Sequence, residues 1–191
     1  METQAIITIV VTVAIAASGY AVKYWSDVRL AAREARLARI NRQLSEFYGP
    51  MYAMAQAGHA AFTALWERSG RDMTVVLRDA PDEAFTPIWQ SWMTHIFMPL
   101  NRRMVSLVVD KADLLDEDEM PESLWMLCAH VYGYEGILKQ WEAGDDSQLT
   151  SAVLFPRQPL RDYVGLRFNE LKAEQVRLLG KRARSSKVIA Y

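Results

Sequence analysis

The residue types in this chain best suited to chemistry are its three histidines, His59, His95 and His130. Helical periodicity predicts that they lie on three different helices, and a bundle can gather such side chains around a metal ion or a haem. None has a histidine or carboxylate three or four residues away, so the Glu-x-x-His element of di-iron bundles is missing. His130 shares a stripe with Leu127 and Tyr134, which is typical of a hydrogen-bonded core histidine. We expect no cofactor, with a haem- or metal-binding bundle as the alternative.

The remaining motifs do not indicate catalysis. Cys128 and His130 are two residues apart and point to different faces of a helix, which removes the obvious thiolate–imidazole pair. The chain has no nucleophile elbow, phosphate-binding loop or dinucleotide glycine pattern. Seven acids between Asp110 and Glu122 lack the spacing of a calcium loop and suit the start of a helix. The sequence therefore predicts a protein that is not an enzyme.

A second candidate site surrounds Pro99, which interrupts a helical stripe. Trp92 precedes it, and Arg102 and Arg103 follow three and four residues later. Arginine binds phosphate or carboxylate groups through two parallel hydrogen bonds, so a bend at Pro99 would create a place for a ligand or partner. A solvated helix face is the competing interpretation. We name Trp92, Pro99, Arg102 and Arg103 as candidate partner contacts.

An uncharged stretch at the N-terminus predicts that the protein is anchored in a membrane. No Lys, Arg, Asp or Glu occurs between Glu2 and Lys23. Twenty residues give about 30 Å of helix, enough to cross the hydrocarbon core of a bilayer. A cleaved secretory signal is the competing interpretation, but the basic n-region of such signals is missing. We predict a transmembrane anchor over residues 1–25.

Two features of the anchor predict its contacts. Ala14 and Ser18, and Ala17 and Ala21, are each four residues apart, a spacing that lets another transmembrane helix approach closely, although lipid-facing positions have the same composition. Aromatic and basic side chains at the other end favour the headgroup layer. The predicted membrane-interface residues are Tyr20, Lys23, Tyr24, Trp25, Arg29 and Arg33.

Charge is distributed unevenly along the chain. Residues 23–42 carry six bases and two acids, residues 43–176 carry eleven bases and twenty acids, and residues 177–191 carry five bases and no acid. The positive-inside rule therefore places the N-terminus outside and the body in the cytoplasm. An acidic body repels nucleic acid, whereas basic flanks suit anionic lipid, with surface solubility as the alternative. We expect the bilayer as a partner, with another membrane protein or a second copy, and no nucleic acid.

Helical stripes fill the rest of the chain. No Gly or Pro interrupts residues 26–47, so the first stripe continues the anchor as a stalk. Gly49-Pro50 is predicted to interrupt that helix as a kink or a reversal, with Gly49 suited to a left-handed cap, and Pro99 is predicted to kink or end a later helix. Further helices are predicted over 50–68, from 85 through Pro99, over 122–143 and over 160–182. We predict an all-α protein whose single transmembrane helix continues into a cytoplasmic up-and-down bundle of four to five helices over 26–183, followed by a basic tail over 184–191.

Two segments between the predicted helices are irregular. MTVVL at 73–77 is the only β-like run, and one short run makes no sheet, so it is predicted to be a packed connection. Residues 145–159 form a long loop, which Val153, Leu154 and Phe155 are expected to hold on the core.

Four stretches of the chain carry a resemblance. NRQLSEFYGPMY at 41–52, FMPLNRRM at 97–104, LCAHVYGYEGILKQWEAGD at 127–145 and FP at 155–156 resemble a group of short bacterial membrane-anchored helical proteins with no known function. The resemblance covers most of the predicted cytoplasmic body. It implies a bacterial source, and hence the inner membrane as the location, but no activity and no site residue.

These observations predict a membrane-anchored, non-enzymatic helical interaction module. It would act as an accessory subunit or as a self-associating scaffold of an inner-membrane complex. A membrane-linked sensor or defence component, whose acidic body recognises a ligand, is a further alternative to the haem or metal protein.

Overall fold

The chain is described here from a computed structural model, which covers residues 2–69 and 84–180 and leaves out the side chains of residues 2–11, 13, 14 and 16. Every regular element within those ranges is helical, which confirms the all-α prediction. The described residues divide into two compact units, one formed by residues 2–41 and 175–180 and the other by residues 42–69 and 84–174. The β-like run at 73–77 and the basic tail at 184–191 lie outside the described residues.

The first unit contains helix α1 (Glu2–Arg42) and the end of the last helix, α6 (Arg157–Leu178). Arg33 Nε donates to Leu178 O at 2.9 Å, and Arg33 Nη2 donates to the same oxygen. Gln175 Nε2 donates to Asn41 Oδ1 at 2.6 Å, so the end of α6 runs antiparallel to α1. A guanidinium at the last carbonyl of a helix complements the negative end of its dipole.

No helix within the described part of the chain combines the length and the apolar character needed to cross a membrane. Much of the stretch from Ala5 to Val22 lies outside the described side chains. The transmembrane anchor therefore stays a prediction from the sequence.

The second unit is built from consecutive helical elements. After a π-helical segment, π1 (Gln43–Tyr48), the chain forms α2 (Gly49–Ser69) and then α3 (Thr86–Trp92). A second π-helical segment, π2, leads into α4, and a single 3₁₀ turn precedes α5, which α6 follows. Helix α4 contacts both α2 and α5. Helix α6 packs against α2, where Tyr52 and Phe168 stack at 5.1 Å between ring centroids. The bounds of these later elements are Met93–Phe97 (π2), Met98–Asp110 (α4), Ala112–Leu114 (3₁₀), Glu122–Glu142 (α5) and Arg157–Leu178 (α6).

The left-handed cap predicted at Gly49 is wrong, and the chain does not reverse at Gly49-Pro50. Gly49 is helical, at φ −64° and ψ −56°, and its N–H donates to Leu44 O, five residues earlier. The helical chain also continues through Pro99, and the N–H of the preceding residue, Met98, donates to Met93 O. A proline lacks an N–H and its ring collides with the carbonyl four residues earlier, so a wider π turn just before it removes the conflict. Neither proline reverses the chain.

Fully buried side chains from every long helix of the second unit form its core. They include Phe47, Tyr48, Met51, Leu65, Met98, Met104, Leu124, Leu127 and Leu160. The polar side chain of Gln43 is fully buried beside them and donates from Nε2 to Leu114 O at 2.8 Å, which ties π1 to the 3₁₀ turn. This bond offsets part of the cost of burying the amide, whereas its Oε1 is buried without a hydrogen-bond partner.

The prediction for the loop after α5 is confirmed in part, because Phe155 packs on His130 and Val153 is half-buried, but it is wrong for Leu154. Leu154 is 69% exposed, whereas Leu149, Ser151 and Pro156 are buried. Helix α6 also begins at Arg157, three residues before the predicted start, because Pro156 precedes its first turn and Pro159 fits inside it.

Candidate interaction sites

An open groove of about 770 Å³ lies between the segment before α5 and the outer face of α6. Its apolar lining is provided by Met120, Trp125 and Leu166, all of which are exposed. Its rim is acidic and consists of Glu117, Glu119, Glu122 and Glu170. An apolar floor with an acidic border fits a basic amphipathic segment better than a small neutral ligand. We call this surface the acidic groove.

Arg167 fixes one wall of the acidic groove. Its Nη2 lies 3.0 Å from Asp116 Oδ2 and its Nη1 lies 2.9 Å from Glu170 Oε2. Its Nε lies 3.3 Å from Glu117 Oε1, outside hydrogen-bond geometry. The guanidinium also lies over the ring of Tyr48, 5.8 Å from its centroid. Three carboxylates around one arginine form a network, which is more ordered than isolated surface pairs.

Two tyrosines lie beneath this network. The hydroxyls of Tyr48 and Tyr163 are 3.1 Å apart, one donating to the other. Burial, together with the neighbouring Tyr48 hydroxyl, raises the pKa of Tyr163, and burial raises that of Tyr48. Both phenols are therefore neutral donors and acceptors that support the groove, with no role as a base.

Aromatic donors hold the loop after α5 in place. Trp89 Nε1 donates to Leu149 O at 3.0 Å, and the Tyr134 hydroxyl donates to the same carbonyl. Trp141 Nε1 donates to Gln148 O at 2.9 Å. These side chains satisfy loop carbonyls while burying their rings, which is the usual arrangement of polar aromatics in a core.

The three histidines have different environments. His130 is buried, and its Nδ1 donates to Val153 O at 2.7 Å, which fits the predicted core histidine. His95 is exposed on π2, and His59 is half-buried on α2. Among the described residues no group of three or more His, Cys, Asp or Glu side chains could hold a metal ion. Cys128 is half-buried and burial raises its pKa, so its thiol stays protonated.

The candidate contacts around Pro99 do not form one pocket. Arg102 is paired with Glu135 of α5 through Nε–Oε1 at 2.6 Å and Nη2–Oε2 at 2.9 Å. Trp92 is half-buried against Phe97, whereas Pro99 and Arg103 are exposed. Arg102 makes the expected bidentate pair, but the carboxylate that it binds is that of Glu135 in this same chain.

The candidate membrane residues lie on α1. Tyr20 is 73% exposed and Trp25 is 62% exposed, and Lys23, Tyr24, Arg29 and Arg33 are exposed as well. Ala17, Ser18 and Ala21 are exposed, and the side chain of Ala14 lies outside the described set. Arg33 reaches Leu178 O, as described above.

The acidic groove was not predicted from the sequence. Trp125 lies off the apolar stripe of α5, as does Tyr132 seven residues later, and Leu166 lies off the stripe of α6. Large apolar residues outside a core stripe are the signal that would have located an exposed apolar surface.

No protein-family model matches the chain, no curated protein matches it, and no solved structure matches it. The resemblance to the bacterial group therefore stays a prediction.

Proposed function

We propose that this chain is a single-pass protein of the bacterial inner membrane and a non-enzymatic interaction module of a membrane complex. Its N-terminus lies outside, and its up-and-down helical bundle lies in the cytoplasm. There the acidic groove binds a basic amphipathic helix of another membrane protein, to which this chain is an accessory subunit.

The observation that carries the proposal is the row of exposed apolar side chains on α1. Ile15, Tyr20, Val22, Tyr24 and Trp25 are each more than half exposed, although soluble proteins seldom expose such a group together. Ile15, Tyr20 and Val22 lie within the uncharged run of residues 3–22, and Tyr24 and Trp25 follow it. Lipid covers all of these surfaces at once and leaves the following arginines in the anionic headgroup layer.

The acidic groove supports a protein partner of defined chemistry. Glu119 and Glu122, which lie outside the Arg167 network, repel acidic or phosphorylated partners and attract basic ones. Trp125, at 49% exposure, is the side chain best placed to become a binding hot spot.

Membrane insertion is tested by alkaline carbonate extraction and by a reporter fused after Tyr191. We expect the full chain to remain in the membrane pellet and the reporter to be active in the cytoplasm. Release into the supernatant, or activity of the reporter only in the periplasm, would overturn the membrane part of the proposal.

The partner is tested by affinity purification in mild detergent from the native organism, followed by mass spectrometry. Trp125→Ser should reduce recovery of the partner about tenfold or more, since buried aromatic hot spots contribute about 2 kcal/mol or more. Tyr132→Ser is the matched control, because Tyr132 is 63% exposed on the same helix and outside the groove. Equal recovery with both variants contradicts the groove. Purification of this chain alone as a monomer overturns the interaction module, and its purification alone as an oligomer replaces the foreign partner with a second copy.

A further inference from the structure

Arg157, in the first turn of α6, carries a charge that the described part of the chain does not neutralise. Its guanidinium is 3.2 Å from the ring centroid of Phe62 on α2, and this stacking is its one described interaction. Burial alone lowers its pKa, to about 10, with no carboxylate raising it. A partly buried cation without an anion is costly, so its presence points to a ligand that neutralises it.

Arg161 lies one turn further along the same face of α6. Its Nε donates to Gln56 Oε1 at 2.9 Å, and its Nη1 lies 3.4 Å from Gln158 Oε1. Both acceptors are neutral amides, which orient the guanidinium without cancelling its charge. The neighbouring carboxylate, Asp162, accepts from Gln158 Nε2 at 2.7 Å.

His59 lies on α2 three residues from Gln56, which Arg161 contacts, and three residues from Phe62, on which Arg157 stacks. Burial, then Arg161, then Arg157 lower the pKa of His59. Its Nδ1 is buried and has no hydrogen-bond partner. Two guanidinium groups and an imidazole with an unused polar atom therefore meet between α2 and α6, and no described carboxylate pairs with any of them.

We propose that His59, Arg157 and Arg161 bind a phosphate group. The planar guanidinium presents paired N–H donors that match phosphate oxygens, and stacking on Phe62 fixes the plane of Arg157 in advance. The phosphate belongs either to a soluble phosphate ester or to a phospholipid headgroup, which present the same oxygens. This site is separate from the acidic groove and does not depend on the proposed partner.

The site is tested with the full chain in non-ionic detergent at pH 7.5. Inorganic phosphate is titrated against sodium chloride of equal ionic strength, and phosphatidylglycerol is added to the micelles in a parallel series. Thermal unfolding and the histidine NMR signals are followed, with His59→Gln used to assign the His59 resonance. We expect a saturable rise of the unfolding temperature with phosphate or with the phospholipid, and a rise of the His59 pKa when the anion binds.

Arg157→Gln should weaken the response about tenfold or more, because charge-assisted hydrogen bonds of about 1.5–3 kcal/mol are lost. Arg103→Gln is the matched control, since Arg103 is an exposed arginine on α4. Circular dichroism checks that both variants are folded. A response to phosphate alone identifies a soluble ester, and a response to the phospholipid alone identifies a headgroup. No response to either, an equal response to chloride, or a full response in Arg157→Gln overturns the proposal.

Discussion

His130 illustrates how the environment of one residue sets a property of the whole protein. Its imidazole is buried against Tyr134 and Phe155, with ring centroids 5.1 Å and 5.4 Å away. Burial lowers its pKa below the ordinary value of 6.5, Arg157 lowers it further, and the Val153 carbonyl opposes the shift. The neutral imidazole is therefore the form that the folded chain favours.

We predict that the stability of the protein falls as the pH is lowered from 7.5 to 5. A histidine with a lowered pKa in the folded state stabilises the fold above pH 6.5 and loses that contribution below it, because the unfolded chain takes up the proton first. His130→Gln should lower stability at pH 7.5 and flatten the pH dependence, and His59, whose pKa is also lowered, should retain part of it. His95→Gln is the control, since His95 is exposed. Unfolding temperatures measured across this range give the slopes, and an unchanged slope in His130→Gln contradicts the assignment.

Gly133 provides a second prediction for a single residue. A Cβ at this position of α5 would overlap Ser151 Oγ, and Ser151 is buried and accepts from the Val153 N–H at 3.3 Å. Gly133→Ala should therefore destabilise the protein by about 1–3 kcal/mol. Gly136→Ala on the same helix meets no atom and should be neutral or stabilise by up to about 1 kcal/mol. Urea unfolding of the two variants separates close packing from helix propensity, and equal effects would show that Ser151 moves away freely.

The core position of His130 could be predicted because its neighbours along the helix define a stripe. Its partner could not, since Val153 lies 23 residues away in a loop without periodicity. The same limit applies to Arg157 and His59, which are brought together only by the packing of α2 against α6. Residue type predicts what a side chain can do, whereas its partners depend on contacts distant in sequence.

At the scale of the elements, periodicity predicted the positions of the helices but not the conformation of the chain at Pro50 and Pro99. The predicted helices over 50–68 and 122–143 agree with α2 and α5 to within one residue at each end. Proline signals that the regular α-helical bond is missing at that position, but it does not specify what replaces it. At both Pro50 and Pro99 a preceding π-helical segment replaces it, and the apolar residues Phe47 and Phe97 within those segments are buried.

Gly49 allows a test of the first π-helical segment. A Cβ at residue 49 would overlap the backbone carbonyl oxygen of Leu44, which accepts the Gly49 N–H. Backbone cannot move aside as a flexible side chain can, so Gly49→Ala should cost about 1–3 kcal/mol despite the higher helix propensity of alanine. Circular dichroism during urea unfolding measures the loss, with Gly136→Ala as the control. A stabilised Gly49→Ala variant would show that this segment is a regular α-helix.

At the scale of the whole molecule, the hydrogen bonds of Arg33 show which way the end of the last helix runs along α1, which the sequence did not predict. The direction of the last helix depends on how many times the chain reverses before it. Neither proline reverses the chain, and the direction is read from the contacts of α6. Within the first unit, Leu178 at the end of α6 lies beside Arg33 of α1. Lys23 precedes Arg33 by ten residues, or about 15 Å of helix. The basic residues after Gly180 therefore follow from a point close to the predicted membrane interface.

We predict that the tail of residues 181–191 binds anionic lipid together with the basic start of α1. Each base near an anionic surface contributes about 1 kcal/mol, and high salt removes the attraction. An environment-sensitive fluorophore on Tyr191→Cys, in a Cys128→Ser background, should show blue-shifted emission in nanodiscs of phosphatidylglycerol. In phosphatidylcholine, or at about 1 M salt, the shift should disappear. The matched control replaces the four tail bases with glutamine, at Lys181, Arg182, Arg184 and Lys187. Identical emission in the two lipids would mean that these charges serve solubility, whereas a shift abolished by the glutamine variant would show that the tail bases bind the lipid.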